Sequence, residues 1–149
     1  REHQHVFNPA AFGILGASLL TGAPVVWWAV SWSPWTIPLI VGVSYTLYQL
    51  KRLWLPATFL IANSAYVFIT GGSETVLSSL LDGTIMLFAF VMLPEPITSP
   101  AMGKWKYVFG PLVATLVVLL GRVGELPDVF LPALLLGNLV GFLAKRVLR

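Results

Sequence analysis

The chain has 149 residues, 57% of them hydrophobic and only 10% charged. So much apolar side chain with so little charge excludes a water-solvated globular domain and makes lipid the solvent. The net charge of +3 comes from nine Lys and Arg against six Asp and Glu. It gives no nucleic-acid interface, because the cations are dispersed among loops and form no stripe with aromatic stacking partners.

In chain order, the apolar stretches predict an all-α integral membrane protein of about six transmembrane helices in one domain covering residues 1–149. The spans run from Pro9 to Val30 (broken at Gly22 and Pro24), Thr36 to Leu50, Leu53 to Thr70, Val76 to Leu93, Tyr107 to Leu120 and Val129 to Val147. Several fall short of the roughly 20 residues that a full crossing needs, which predicts kinks, tilts or half-helices. No linker or low-complexity tract divides the chain.

Six crossings put both termini on one side, together with Arg1, Lys51, Arg52, Lys104, Lys106, Lys145, Arg146 and Arg149. Arg122 alone lies opposite. The positive-inside rule then predicts a multi-pass protein of the cell inner membrane with both termini cytoplasmic, and Glu74, Glu125 and Asp128 in outer loops. The six tryptophans agree with that frame. Trp27, Trp28, Trp32 and Trp35 mark the outer boundary and Trp54 and Trp105 the inner one, where an indole ring is buried and its N–H stays wet.

With no cysteine, disulfides, thiolate-held clusters and a cysteine nucleophile are excluded. His3 and His5 are the two histidines; their spacing suits a strand face and no third ligand is near, so no metal site is expected. The chain starts with Arg1, and nothing at that end has the shape of a signal peptide. It is expected to be processed or to form part of something longer. No nucleophile elbow, phosphate-binding glycine loop or His-Glu-x-x-His motif is present, so any chemistry would come from a bound cofactor.

Two proline-containing segments, Phe7 to Gly13 and Leu93 to Gly103, each place a polar acceptor immediately before proline and small residues after it: Asn8-Pro9-Ala10 and Ser99-Pro100-Ala101. Both read as capped helix starts near the cytoplasmic face, able to hold an anionic or polarised group, with ordinary capping as the alternative. Their likeness hints at a duplicated unit of the kind that places transporter sites between repeats. Asp82 is the one ionisable residue clearly inside a span, expected about 9 Å below the outer boundary at 1.5 Å per residue. Asn63 and Asn138 lie near mid-span on other helices and are expected to share hydrogen bonds with it. Asp82 is then a proton or ion relay, or a carboxylic acid that is neutral and hydrogen-bonded or hydrated from outside. Gly137 and Gly141 permit close helix approach.

At these same residues the chain resembles the NqrB/RnfD family, the membrane subunits of sodium-pumping NADH:quinone oxidoreductase and of the Rnf complex. Phe7-Asn8-Pro9-Ala10 is similar to the family's Phe-Asn-Pro-Ala helix start. The run from Leu80 to Leu87 resembles its Leu-Leu-Ser-Gly-Ala-Thr-Met-Leu segment, with Asp82 in place of a serine. Leu93-Pro94-Glu95-Pro96-Ile97-Thr98 is similar to its Leu-Thr-Asp-Pro-Val-Thr turn, with Glu95 keeping the carboxylate. Leu134 to Asn138 resembles its final Leu-Leu-Ala-Asn helix.

The resemblance implies a helical bundle of urea-transporter-like architecture. It also implies partner membrane subunits and flavins, which together couple electron transfer to movement of Na⁺ or H⁺. Family members carry a further helical region before Phe-Asn-Pro, so the chain is expected to correspond to the C-terminal half. They also carry FMN as a phosphoester on a threonine of a long outer segment. Here that segment shrinks to about Thr21 through Trp35, and neither Thr21 nor Thr36 has the surrounding motif, so no covalent FMN is expected.

The expected function is thus an RnfD/NqrB-like subunit of an ion-coupled electron-transfer complex, with a non-covalent flavin (FMN or riboflavin). Asn8, Thr98 and Ser99 are the candidate cofactor contacts; Asp82, Glu95, Asn63 and Asn138 are the candidate ion path. Other membrane subunits and the bilayer are the expected partners. The alternatives are a small-solute or ion channel and a cofactor-free scaffold subunit of a larger membrane complex.

Overall fold

The computed structural model describes residues 5–27, 36–99, 103–124 and 126–147, with the backbone alone for 36 and 145–147. Arg1, His3, Trp28, Trp32, Trp35, Pro100, Ala101, Glu125 and Arg149 lie outside the described residues. All regular structure among those described is helical: α1 (Pro9–Thr21), α2 (Thr36–Gln49), α3 (Trp54–Gly71), α4 (Ser73–Leu80), α5 (Gly83–Leu87) running on into a π-helical turn (Phe88–Met92), α6 (Trp105–Val123) and α7 (Phe130–Val147).

This is an all-α membrane protein with irregular spans. α3 and α6 are long and apolar enough to cross a bilayer, and α4 with α5 and its π turn is together long and apolar enough for a broken span or a re-entrant loop. α1 and α7 are apolar but shorter. The stretch expected to span from Val76 to Leu93 is bent, its two pieces meeting at 57°, a kink of the kind that the short apolar runs predict. α1 ends where the sequence predicts the first break, at Gly22. Gly22 closes α1 at φ +70°, donating its N–H to the Ser18 carbonyl, and residues 22–27 continue without helical structure. A residue in the left-handed region cannot continue a right-handed helix.

α3 and α6 form the closest pair, and Gly110 is the reason. A Cβ there would fall 2.3 Å from Thr58 Oγ1, 2.6 Å from the Phe59 nitrogen and 2.8 Å from the Leu55 carbonyl oxygen. The missing side chain lets the two backbones touch. Farther along, Tyr66 OH and Thr115 Oγ1 lie 2.9 Å apart and pin the same pair. Gly137 does the corresponding work between α7 and α6, where an added Cβ would meet Val113 Cγ2 at 2.7 Å.

The core is mostly aliphatic, with an aromatic cluster inside it. Phe88, fully buried at the start of the π turn, has Phe130 at 5.1 Å, Phe59 at 5.2 Å and Trp27 at 6.4 Å between ring centroids. Trp27 thus turns its ring inward onto Phe88 and Phe130, while its indole N–H donates to Asp128 Oδ1 at 2.9 Å. Asp128 Oδ2 accepts from the Leu131 N–H at 2.6 Å, so one carboxylate caps α7 and anchors the stretch after α1.

Outside this core the surface is apolar. Ile37, Leu39, Val41, Tyr45 and Tyr48 of α2 are exposed, as are Leu20, Ile69 and Val123 on other helices. Apolar surface on this scale suits lipid or neighbouring helices.

Candidate functional site at the Arg52 loop

The residues of interest gather at two depths. At the end of the bundle where α1 starts, Asn8 caps that helix: its Oδ1 accepts from the Ala11 N–H at 3.0 Å, with Pro9 in the first turn where no N–H is needed. Its Nδ2 donates to the Met92 carbonyl at 3.4 Å, joining the chain's start to the end of the π turn. The loop after that turn, residues 93–99, carries Glu95, Thr98 and Ser99. Thr98 Oγ1 donates to Glu95 Oε2, and Ser99 Oγ donates to the Leu93 carbonyl. Asn8, Thr98 and Ser99 are all buried, so the structure does bring these three to one end.

The helix start expected at Pro100 and Ala101 lies outside the described residues. α6 starts at Trp105, and Lys104 precedes it without a side-chain cap. The Ser99 hydroxyl donates back to its own loop.

What organises the loop is Arg52, which the sequence marks only as an inside charge. One guanidinium nitrogen lies 3.4 Å from the Pro94 carbonyl oxygen, 3.3 Å from that of Glu95 and 3.2 Å from that of Ser99. The other donates to the Pro96 carbonyl at 2.8 Å. Burial pushes the Arg52 guanidinium below its ordinary value, and the Glu95 carboxylate opposes that shift; an arginine stays charged throughout. A signal for this role was present. Prolines at 94, 96 and 100 remove three N–H donors from the segment, so more of its carbonyls need a donor from elsewhere, and an arginine fork supplies several at once.

The second depth lies along the bent α4–α5 stretch. Asp82 sits in the break and caps α5, its Oδ1 accepting from the Ile85 N–H at 3.1 Å. It is exposed, where the apolar run predicts burial within a span. The expected hydrogen-bond sharing with Asn63 and Asn138 is absent. Asn63 Nδ2 donates instead to Ser79 Oγ at 3.2 Å, holding α4 against the middle of α3. Asn138 is fully buried in α7, and neither its amide nitrogen nor its oxygen has a hydrogen-bond partner among the described residues. Buried amides are nearly always satisfied, so an orphaned one marks a place for a polar guest such as water. Glu95 belongs to the Arg52 loop, so the four candidate charge-path residues are split between the two depths. Among the described residues no group of His, Cys, Asp and Glu forms a metal site.

The family model for NQR2, RnfD and RnfE matches residues 6–149. The chain belongs to this family. Its curated relatives are named as one of the subunits of an ion-translocating oxidoreductase complex. The relative from Aeromonas salmonicida is 29% identical over 119 residues, covering 76% of this chain and 34% of that protein. The relative from Salmonella arizonae is 31% identical over 116 residues, covering 74% of this chain and 33% of that protein. The chain therefore spans about a third of the length of the curated family members it matches. No solved structure matches it.

The match takes in both depths of the site, from Asn8 to Asn138. An NQR2/RnfD/RnfE member with these residues can do two things chemically. At the Arg52 end it holds a proline-rich turn; at the break it presents an exposed carboxylate, while Asn63 ties α3 to α4 and Asn138 lies buried in α7.

Proposed function

We propose that the chain forms part of the membrane subunit of an ion-coupled electron-transfer complex, with its cationic end cytoplasmic in the cell inner membrane. The observation that carries the reading is the family match over residues 6–149 on a chain whose α4–α5 stretch breaks at a carboxylate. Broken helices with polar groups at the break are how membrane proteins present backbone and charge to a transported ion. Asp82, Asn63 and Asn138 supply the inner part of that path, and Glu95 beside Arg52 its cytoplasmic end. Other members of the same complex are the partners, with the bilayer as solvent.

The family resemblance extends the proposal to a non-covalently held flavin, FMN or riboflavin, in the assembly. The side-chain hydrogen bonds of Asn8, Thr98 and Ser99 are committed within the chain, so these three do not by themselves form its cradle. That observation favours a second reading, a cofactor-free scaffold subunit beside the pigmented ones.

Spectra of the purified complex, before and after acid precipitation, test the proposal. Flavin released into the supernatant supports a non-covalent cofactor, and flavin kept in the precipitate contradicts it. Subunits that co-purify with no pigment in this chain support the scaffold reading.

A further inference from the structure

We propose that Lys51 and Lys106 form a binding site for the phosphate of an anionic phospholipid, at the cationic end of the bundle and apart from the Arg52 loop. The site is a cavity of about 430 Å³ lined by Tyr48, Lys51, Leu53, Trp54, Ala57 and Lys106. This volume falls within the roughly 300–1,000 Å³ of small-molecule sites.

Its charges come from two distant parts of the chain, the corner between α2 and α3 and the first turn of α6. The cavity lining has two cations and no carboxylate, and among the described residues neither lysine is paired with an acid. The rest of the wall is apolar or aromatic. Trp54 packs edge-on against Tyr107 at 5.2 Å, and Lys106 Nζ lies 4.8 Å above the same Tyr107 ring. Two ammonium groups beside aromatic rings and an aliphatic wall, at the end of helices whose sides are apolar, match one ligand chemistry. A phosphodiester headgroup takes the lysines, and its acyl chains lie along Leu53 and Ala57.

The backbone adds an independent observation. Lys51 has φ +56°, the one positive φ among the described non-glycine residues. It holds the left-handed position that ends α2: its N–H donates to the Tyr48 carbonyl at 2.9 Å, and the next N–H, of Arg52, to the Leu47 carbonyl at 2.8 Å. Glycine suits that position without strain, so Lys51→Gly removes the charge at no cost to the backbone. The same turn sends Arg52 to the loop and leaves Lys51 exposed at the cavity.

Native mass spectrometry of the full-length protein, from nanodiscs of phosphatidylglycerol mixed with phosphatidylcholine, tests the site. We expect wild type and Lys104→Gln, a charge removed at the same end but off the cavity, to retain phosphatidylglycerol. Lys106→Gln and Lys51→Gly should each retain at least tenfold less, and Lys51→Gly should at the same time melt no lower than wild type in uncharged detergent. Equal retention by all four proteins would overturn the proposal, as would equal retention of phosphatidylcholine. Loss of the bound lipid on adding inorganic phosphate would also overturn it, assigning the lysines to a soluble ligand.

Discussion

Removing the Arg52 guanidinium takes a donor from the Pro94, Glu95, Pro96 and Ser99 carbonyls, of which the Glu95 carbonyl keeps the Ser99 N–H. Hydrogen bonds to charged groups contribute about 1.5–3 kcal/mol each, less where the geometry is long as for three of these, so Arg52→Ala should lower stability by about 2–4 kcal/mol. Arg52→Lys should recover only part of that, since an ammonium cannot reproduce a planar fork. Thermal unfolding of the full-length protein in detergent reads both. Asn138 invites the opposite experiment. Its orphaned amide costs desolvation with nothing in return, so Asn138→Leu, close in volume, should raise stability by about 1–2 kcal/mol. If the amide serves the ion path, the same change should abolish ion dependence in the assembled complex. A drop in stability would mean that Asn138 has a partner within the fold.

Among the elements, the bent α4–α5 stretch and the α3–α6 pair set the shape. Asp82→Ala removes the α5 cap and should cost about 1 kcal/mol, whereas Asp82→Asn keeps an acceptor and removes the charge. A relay at Asp82 therefore predicts that the Asn variant folds like wild type and loses ion coupling. A purely capping carboxylate predicts normal coupling. Gly110→Ala forces a methyl into Thr58 and the α3 backbone, and should cost about 2–3 kcal/mol or separate the pair. Disrupted α3–α6 packing would appear as protease sensitivity.

How far these elements were legible follows from what each residue does locally. α3 and α6 could be read from their apolar runs, within one to three residues at each end. The Asn8 cap could be read from Asn-Pro alone. The break was not legible from hydrophobicity, because Leu80 to Leu93 stays apolar on both sides of it; the signal was Asp82-Gly83-Thr84, an N-cap residue ahead of a helix start. Asp128, three residues before Leu131, carried a readable cap signal, while its grip on Trp27 depends on a contact 101 residues apart.

For the molecule as a whole, everything rests on the helices lying in a bilayer with the Arg52 end facing the cytoplasm. Lys51 and Glu74 flank α3 at opposite ends, so they should lie on opposite sides. The chain has no cysteine of its own, which allows single cysteines to report topology without background. Impermeant maleimide applied to intact cells should label Glu74→Cys and Arg122→Cys, and should reach Lys51→Cys or Lys104→Cys only after the membrane is opened. Labelling of position 51 or 104 in intact cells, or of 51 and 74 from the same side, would contradict the account.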